Sequence, residues 1–225
     1  KESTDRKDSE VEKVTEDLIP IKTHDIFKVP LFSIHLAGFT DDLKIKELLE
    51  NQFVENKKSD VAAWHVTQTN SNLHEKKEFA PLVQVIGDVA YSIITDIMEY
   101  DPTYFAHVTA MWGNRQPKGA FFRTHSHHNN IFSGVFYPDE DKDFPSISFH
   151  RPFRSDFAPT ISKSNEYNGG LSGMKCRKDI LIVFPAWLDH NIPTNPSDKD
   201  RLSISFNVML RGVFSAAQSN QSTLF

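Results

Sequence analysis

The strongest constraint on how this chain can fold lies after Pro102, where apolar and polar residues begin to alternate with a period of two. Such alternation is typical of strands that bury one face. The segments with this pattern are 104–112, 120–123, 131–137, 146–150, 179–184 and 202–210. They lie close together in the sequence, and no helical period separates them. We therefore predict an antiparallel sandwich or barrel for this half of the chain.

Upstream of this region the apolar period is that of helices. Apolar residues recur at three- and four-residue steps over 81–100, which predicts a long amphipathic helix. A shorter helix is predicted over 40–55, with Thr40 as its N-cap. One or two short strands are expected over 27–34, and 59–74 has the polar composition of a loop. Helices followed by strands indicate an α+β fold in which the helices pack against one sheet.

Length and local charge predict the domain organisation. A chain of 225 residues suits one large domain. Residues 1–17 contain seven acidic and four basic side chains and almost nothing to bury, so we expect a solvated, disordered tail. Residues 18–225 are predicted to form one domain, helical to about 101 and with its β core at about 102–212.

Composition argues against several classes of protein. The net charge of −5 does not favour a nucleic-acid partner. The single cysteine, Cys176, cannot form an internal disulfide, which fits a reducing compartment. No apolar run approaches the ~18 residues of a membrane span, and the first residues lack the apolar core of a signal peptide. We therefore expect a cytoplasmic protein that does not enter a membrane.

Three histidines in the β region form a candidate metal site. On an extended backbone His125 and His127 point the same way, and His190 lies just after the very apolar segment 180–184. Three imidazoles on one face of a metal leave its other positions open for substrates, as in non-haem iron sites. A His-x-His pair alone is often only a polar strand surface, so the hypothesis needs support from a second feature of the chain.

A candidate anion receptor begins eleven residues after His190. Arg201 and Ser203 share one face of a predicted strand that is otherwise apolar. An arginine directed into such a sheet needs an anionic partner, because an unpaired buried charge is costly. A guanidinium beside a hydroxyl suits a carboxylate. The alternative interpretation is an ordinary arginine at a strand edge.

The His-x-His pair, the distal histidine and the Arg-x-Ser pair together resemble the Fe(II)/2-oxoglutarate-dependent oxygenases. The usual signature of these enzymes is HxD or HxE, a distant His, and an Arg about ten residues later. The match is closer to a subgroup of bacterial and phage oxygenases with H-x-H-x-N and then SG-V-x-Y. Here the sequence has HSHHN at 125–129 and SGVFY at 133–137.

The resemblance implies a double-stranded β-helix, or jelly roll, with the N-terminal helices packed on the larger sheet. It implies Fe(II) held by the three histidines, with 2-oxoglutarate and O₂ as co-substrates and no catalytic side chain beyond the metal ligands. The far carboxylate of 2-oxoglutarate would meet Arg201 and Ser203, and Tyr137 and Asn114 would add hydrogen bonds.

One departure from the family pattern leaves the ligand set and the metal open. The common pattern has a carboxylate at the position of His127, and three neutral imidazoles leave the full double charge on the metal. Zinc is then an alternative to iron. Asn129 is an alternative third ligand in place of one histidine.

The resemblance predicts hydroxylation of a C–H bond with release of succinate and CO₂. A peptide prolyl residue is our first expectation for the prime substrate, and a small metabolite or a nucleobase is the alternative. The segments 139–143 and 152–170 are expected to flank the entrance. The rival hypotheses are a three-histidine jelly roll without catalysis, and a cupin-type dioxygenase that does not use 2-oxoglutarate. A homodimer is a further option.

Deletion of residues 1–17 should leave the melting temperature nearly unchanged, because a solvated tail buries little surface. Thermal unfolding of the truncated and full chains, monitored by circular dichroism, measures this. A large drop would show that the segment packs on the domain.

Overall fold

The fold is described from a computed structural model, which covers residues 28–53, 62–153, 159–214 and 223–224. The N-terminal segment 1–17 lies outside these residues. The helices are α1 (Phe39–Asp42), α2 (Ile45–Glu50) and α3 (Ala80–Ser92), which continues as a π-helical turn at Ile93–Ile97; two 3-10 turns span Leu73–Glu75 and Lys77–Phe79. The strands are β1 (Phe32–His35), β2 (Ala63–Trp64), β3 (Thr67–Gln68), β4 (Phe105–Gln116), β5 (Phe121–His125), β6 (Phe132–Phe136), β7 (Ile147–His150), β8 (Leu171–Met174), β9 (Ile180–Pro185), β10 (His190–Ile192), β11 (Arg201–Arg211), β12 (Val213–Phe214) and β13 (Thr223–Leu224).

Two antiparallel sheets enclose the interior of the molecule. The larger sheet has the strand order β1-β9-β6-β11-β4-β3, and the smaller has β2-β5-β10-β7-β8. The longest ladder joins β4 and β11, from Arg201 opposite Gln116 to Arg211 opposite Phe105. This is the mixed helix-and-strand architecture, with two large antiparallel sheets, that the sequence predicted.

The helices cover the outer face of the larger sheet. Alternate residues of β11, including Ile204 and Phe206, pack with Leu82 and Ile86 of α3 in the main apolar cluster. The other face of the same sheet looks into the sandwich, where Val135 and Ile182 meet apolar residues of the smaller sheet. Because side chains alternate along a strand, each strand of the larger sheet contributes to both apolar layers, one beneath the helices and one inside the sandwich. The odd positions at the start of β11 are thereby left to face the interior.

The segment Lys77–Ile97 is long and apolar enough, by length and composition, to cross a membrane. Its Leu82, Ile86 and Ala90 are nevertheless fully buried against the larger sheet. Gln84 and Asp88 lie away from this buried stripe and are hydrogen-bonded to each other. This distribution is that of an amphipathic helix that packs on a core.

The predicted helix over 40–55 is wrong in its start and its continuity. Lys44 has a left-handed backbone (φ 50°), which divides the segment into α1 and α2. Thr40 lies inside α1, and the N-cap position belongs to Gly38. The carboxylate of Asp179, just before β9, accepts hydrogen bonds from the backbone N–H groups of Gly38 and Thr40. A distant acid thus takes the role that was expected of the local threonine.

All six strands predicted after residue 102 are present, and the structure adds short ones. The supposed loop over 59–74 contains β2 and β3, and β8 and β10 were not predicted. Strands of two to four residues are too short to show a period, so only their pairing identifies them.

Gly134 on β6 is a position where a side chain cannot be accommodated. A Cβ there would lie 2.4 Å from the backbone oxygen of Ile182 and 2.2 Å from the ring of Phe206. We expect Gly134→Ala to destabilise the fold by about 1–3 kcal/mol, because a backbone atom cannot move away cheaply.

The matched control is Gly87→Ala in α3, where no atom lies within 4 Å of the added Cβ. This change should be neutral or stabilising by up to about 1 kcal/mol. Urea unfolding of both variants measures the difference. Equal free energies of unfolding would contradict the predicted contact.

Candidate metal centre

The three predicted ligand histidines meet at one point between the sheets. His125 ends β5 and His190 begins β10, and the two residues are paired directly across the strands. His127 lies just beyond β5, and its backbone N–H donates to the oxygen of Ala186 (2.8 Å). One side-chain nitrogen from each ring lies within 4.8 Å of the other two. This is the convergence that three ligands of one metal ion require.

A bulge in β5 turns His125 into the interior. The register pairs His190 with His125 but Ile192 with Phe122, so β5 has one residue more than its partner over this stretch. The extra residue places Phe122 and His125 on the same side, and both line the same cavity. A bulge beside a functional site commonly redirects a side chain in this way.

Backbone carbonyls set the tautomers of two of the rings. Nδ1 of His125 lies 2.7 Å from the oxygen of Arg123, and Nδ1 of His190 lies 2.9 Å from the oxygen of Leu188. A carbonyl can only accept, so each Nδ1 carries the hydrogen and each Nε2 keeps its lone pair. Metal-binding histidines are typically oriented by such bonds.

Burial keeps His190 neutral. Its side chain is only 4% exposed, with the rings of Phe184 and Phe149 centred 4.8 and 6.1 Å from its own. Desolvation, and after it the effect of nearby His125, lowers the pKa of His190 to about 3. A neutral imidazole is the form that binds a metal.

A small cavity of about 40 Å³ adjoins the histidines. Its walls are partly apolar, and the polar side chains of Gln68, Asn114 and Ser205 form the other side. The ring of Trp112 is centred 5.9 Å from that of His127. Among the described residues, no aspartate or glutamate lines this cavity.

Arg201 lies fully buried on the same inner face of the larger sheet. Its Nη1 donates to Oε1 of Gln116 (3.2 Å) and its Nη2 donates to the hydroxyl of Tyr137 (3.0 Å). Its Nε is buried without a hydrogen-bond partner, and no carboxylate in the described part of the chain forms an ion pair with the guanidinium. A buried guanidinium without a carboxylate partner favours an anionic ligand.

The residues between the histidines and Arg201 form a polar network. Gln68 donates to Oδ1 of Asn114 (2.8 Å), and the amide nitrogen of Asn114 donates to Ser205 (3.0 Å) and more weakly to Ser203 (3.4 Å). Both hydroxyls therefore accept from Asn114, and their own hydrogens are available for another acceptor.

The structure brings the three predicted histidines together and places Asn114 in the lining of their cavity. The other predicted residues are in contact in pairs, Arg201 with Tyr137 and Ser203 with Asn114. Gln68, Gln116 and Ser205 were not predicted. Gln116 and Ser205 lie on the inner faces of β4 and β11, and correct pairing of those two strands would have identified them. Gln68 lies on the two-residue strand β3, which is too short to be predicted from the sequence. Asn129 is exposed, with a left-handed backbone (φ 62°), and the contact of His127 with the other rings favours His127 as the third ligand.

The two segments expected at the entrance lie at different ends of the site. Asp139 and Asp141 form ion pairs with Lys46 and Lys199, beyond the Tyr137 end of β6, so the acidic segment does not flank the histidines. The backbone N–H of Arg151 donates to the oxygen of Gly170 at the described end of the 152–170 loop. The backbone N–H of the neighbouring His150 donates to the oxygen of Asp189, so this loop end lies beside the metal ligands.

His190→Ala should abolish stoichiometric metal binding, because two imidazoles do not hold an ion that needs three protein ligands. His128→Ala is the matched control, since this neighbouring histidine lies outside the group of three. Elemental analysis after loading with Fe(II) or Zn²⁺ measures both. Full metal content in the His190 variant would refute the ligand assignment.

Residues 110–207 match the family model described as "Putative 2OG-Fe(II) oxygenase". This segment contains all three histidines and Arg201. Among curated proteins, none matches the chain significantly.

Solved structures of oxygenases share the fold of this chain. An oxidoreductase of the 2OG-Fe(II) oxygenase family from Burkholderia pseudomallei is 14% identical, with 80% of this chain and 84% of that chain covered and a TM-score of 0.55. A prolyl-4-hydroxylase from Pseudomonas putida is 12% identical, with 82% and 94% covered and a TM-score of 0.54. HygX from Streptomyces hygroscopicus, solved with nickel, 2-oxoglutarate and hygromycin B, is 12% identical, with 80% and 83% covered and a TM-score of 0.56.

At these identities the structures establish the jelly-roll fold, and the match over residues 110–207 adds a similarity in sequence. Together they confirm the resemblance of this chain to the Fe(II)/2-oxoglutarate-dependent oxygenases.

Proposed function

We propose that this protein is a non-haem iron oxygenase that uses 2-oxoglutarate and O₂ to hydroxylate a C–H bond, with release of succinate and CO₂. The observation that carries the proposal is the buried guanidinium of Arg201. It has a free Nε–H and no carboxylate partner among the described residues. It lies on the larger sheet, and the three-histidine cluster lies at the smaller sheet.

The donor set fits a divalent metal. His125, His127 and His190 would hold the ion, the first and last through Nε2 because Nδ1 is bound to a carbonyl. When bound, the iron supplies the activation of O₂ that the side chains of the pocket cannot provide.

The residues around Arg201 fit the far carboxylate of 2-oxoglutarate. A guanidinium has five N–H donors, and Gln116 and Tyr137 use two of them. The remaining donors include Nε–H, and they suit a bidentate carboxylate. Because the Tyr137 hydroxyl accepts from Arg201, its own hydrogen can be donated to the same ligand. Burial raises the pKa of Tyr137, so the phenol stays protonated.

The polar network also provides hydrogen-bond donors, as Arg201 and Tyr137 do. Ser203 and Ser205 accept from the amide of Asn114, which in turn is oriented by Gln68. Their hydroxyl hydrogens are therefore available to a ligand, as are the free donors of Arg201 and Tyr137. A pocket of donors recognises a dianion and orients its two ends.

For the prime substrate we propose a peptidyl proline. The fold shared with the Pseudomonas putida prolyl-4-hydroxylase supports this choice. Trp187 is exposed and follows Ala186, whose oxygen accepts from the backbone N–H of His127, so it offers an apolar contact to a proline ring. HygX, solved with hygromycin B, supports the alternative of a small molecule.

Succinate release from 2-oxoglutarate by the Fe(II)-loaded protein under O₂ tests the proposed activity. Formation above the level of the metal-free protein is expected, and hydroxylation of prolyl peptides by mass spectrometry tests the substrate. Tight zinc binding with no turnover of 2-oxoglutarate would favour the non-catalytic module.

Arg201→Met should weaken 2-oxoglutarate binding at least about a hundredfold, because two charge-assisted hydrogen bonds are lost. Arg211→Met, on the exposed end of the same strand, is the control and should bind normally. Calorimetric titration of the anaerobic, metal-loaded variants measures this. The melting temperature of the Arg201 variant without ligand should not fall greatly, since it no longer buries an unpaired charge. Unchanged affinity for 2-oxoglutarate would count against the assignment of Arg201 as its carboxylate receptor.

A further inference from the structure

We infer that Asn207 binds the prime substrate, with its side-chain amide donating hydrogen bonds to the carbonyl oxygen of a peptide group. Asn207 lies on β11, at the outer end of the polar face that begins with Arg201. The inference rests on the proposed function, because it names the chemical group by which the same site recognises its substrate.

Asn207 extends the inner face of the larger sheet beyond the histidine cavity. Ser205 lines that cavity together with Trp112, whose ring is centred 5.9 Å from that of His127. Asn207 is the next residue of β11 on the same face, about 7 Å further along the strand. Exposure increases in this direction, since Arg201 is fully buried and both Ser205 and Asn207 are half-buried. Asn207 therefore lies on the side from which a substrate enters.

Backbone hydrogen bonds fix the rim of the pocket between Asn207 and the histidines. The N–H of Ile131 donates to the oxygen of Val208 (3.0 Å), the residue after Asn207. The N–H of Ala186 donates to the oxygen of Ile131 (3.0 Å), and the oxygen of Ala186 accepts from the N–H of His127 (2.8 Å). Asn207 and His127 are thus joined through one continuous rim, and their relative position is set by the fold.

The amide of Asn207 has a defined orientation. Its Oδ1 accepts a hydrogen bond from the hydroxyl of Ser133 (2.8 Å), a residue that is only 1% exposed. Because the oxygen is used in this bond, the nitrogen occupies the other arm of the amide. Within the described part of the chain, Nδ2 of Asn207 has no hydrogen-bond partner. Its two N–H donors are therefore available to a ligand.

The surroundings of this amide favour a neutral acceptor. Across the strands Asn207 is opposite Ala110 on one side and Ser133 on the other, and neither is charged. The hydroxyl of Thr109 donates to Oδ1 of Asn130 (2.8 Å), so these nearby polar groups are bonded to each other. A carbonyl oxygen has two lone pairs and can accept both N–H donors. Peptide groups present such an oxygen at every residue, which fits a peptidyl substrate.

The test is an NMR titration of the ¹⁵N-labelled protein, loaded with Zn²⁺ and 2-oxoglutarate, with N-acetylproline N-methylamide. This probe is one proline between two peptide groups. The NH₂ signals of Asn207, identified by their loss in Asn207→Asp, should shift saturably, with a dissociation constant on the order of millimolar for so small a ligand. The NH₂ signals of Asn191, on the opposite face of the strand that carries His190, should not shift.

Asn207→Asp keeps the acceptor for Ser133 but removes both N–H donors, so the affinity for the probe should fall at least about tenfold. Asn191→Asp is the matched control, because its Oδ1 also accepts an internal bond, from Nε2 of His150 (2.9 Å). It adds the same charge and should change the affinity by less than about threefold. Asn207→Leu removes the donors without adding a charge and should cause the same loss as Asn207→Asp. Backbone amide shifts give all these affinities.

Ser133 is a positioning residue that acts through Asn207. Ser133→Ala should weaken probe binding by about threefold, because the amide is no longer held in one orientation. The same change should have no effect on probe affinity in the Asn207→Leu background. A purely structural role of Ser133 would persist in that background, so an equal loss there would contradict the assigned role.

No shift of the Asn207 signals, or equal probe affinity in the wild type and Asn207→Leu, would overturn the inference. A shift caused by methyl glucoside but not by the proline probe would also overturn it, in favour of a substrate with hydroxyl groups. If the Asn207 variants do not fold, the wild-type titration decides alone, since a saturable shift supports the inference and its absence refutes it.

The same sample separates this inference from the proposed function. Titration of the zinc-loaded protein with 2-oxoglutarate precedes the addition of the probe. If 2-oxoglutarate does not bind, the proposed function fails, and the probe titration without it still tests Asn207. If 2-oxoglutarate binds and the probe leaves the Asn207 signals unchanged, only the inference fails.

Discussion

The pairing of β4 with β11 determines where the polar groups of these two strands lie. The register places Arg201 opposite Gln116, Ser203 opposite Asn114 and Ser205 opposite Trp112. A slip by one residue would turn the polar positions towards the helices and the apolar ones into the pocket. The apolar cluster beneath α3 prevents such a slip, because the even positions of β11 are its central members. The same packing that stabilises the fold therefore orients the site.

The buried charge of Arg201 has no carboxylate partner among the described residues. A guanidinium with no exposed surface and an unpaired Nε is unfavourable in the free protein. An anion that binds there is stabilised by donors that are already in place and need not reorganise. Such a ligand also stabilises the folded state by mass action, because the unfolded chain does not form the binding site around Arg201. Recognition and stability are thus linked through one side chain.

The sequence was sufficient to predict an element where its apolar residues repeat regularly, or a buried residue where burial has a clear energetic cost. The long strands and α3 follow from periodicity, and the placement of Arg201 follows from the cost of an arginine in an apolar strand. The break at Lys44 could not be predicted, because the segment has no glycine or proline there and a distant carboxylate, that of Asp179, binds the start of the helix. The bulge in β5 and the contribution of Gln68 depend on pairing between strands, which a single sequence does not reveal.

The position of β1 at the edge of the larger sheet has a consequence for synthesis of the chain. Phe32 and its neighbours pair with β9 around Val183, and the carboxylate of Asp179 holds the start of α1. On the ribosome this strand emerges before β9, so it cannot pair until β9 has been translated. Until then an apolar strand edge is exposed to other nascent chains, and chaperones would protect it during this interval.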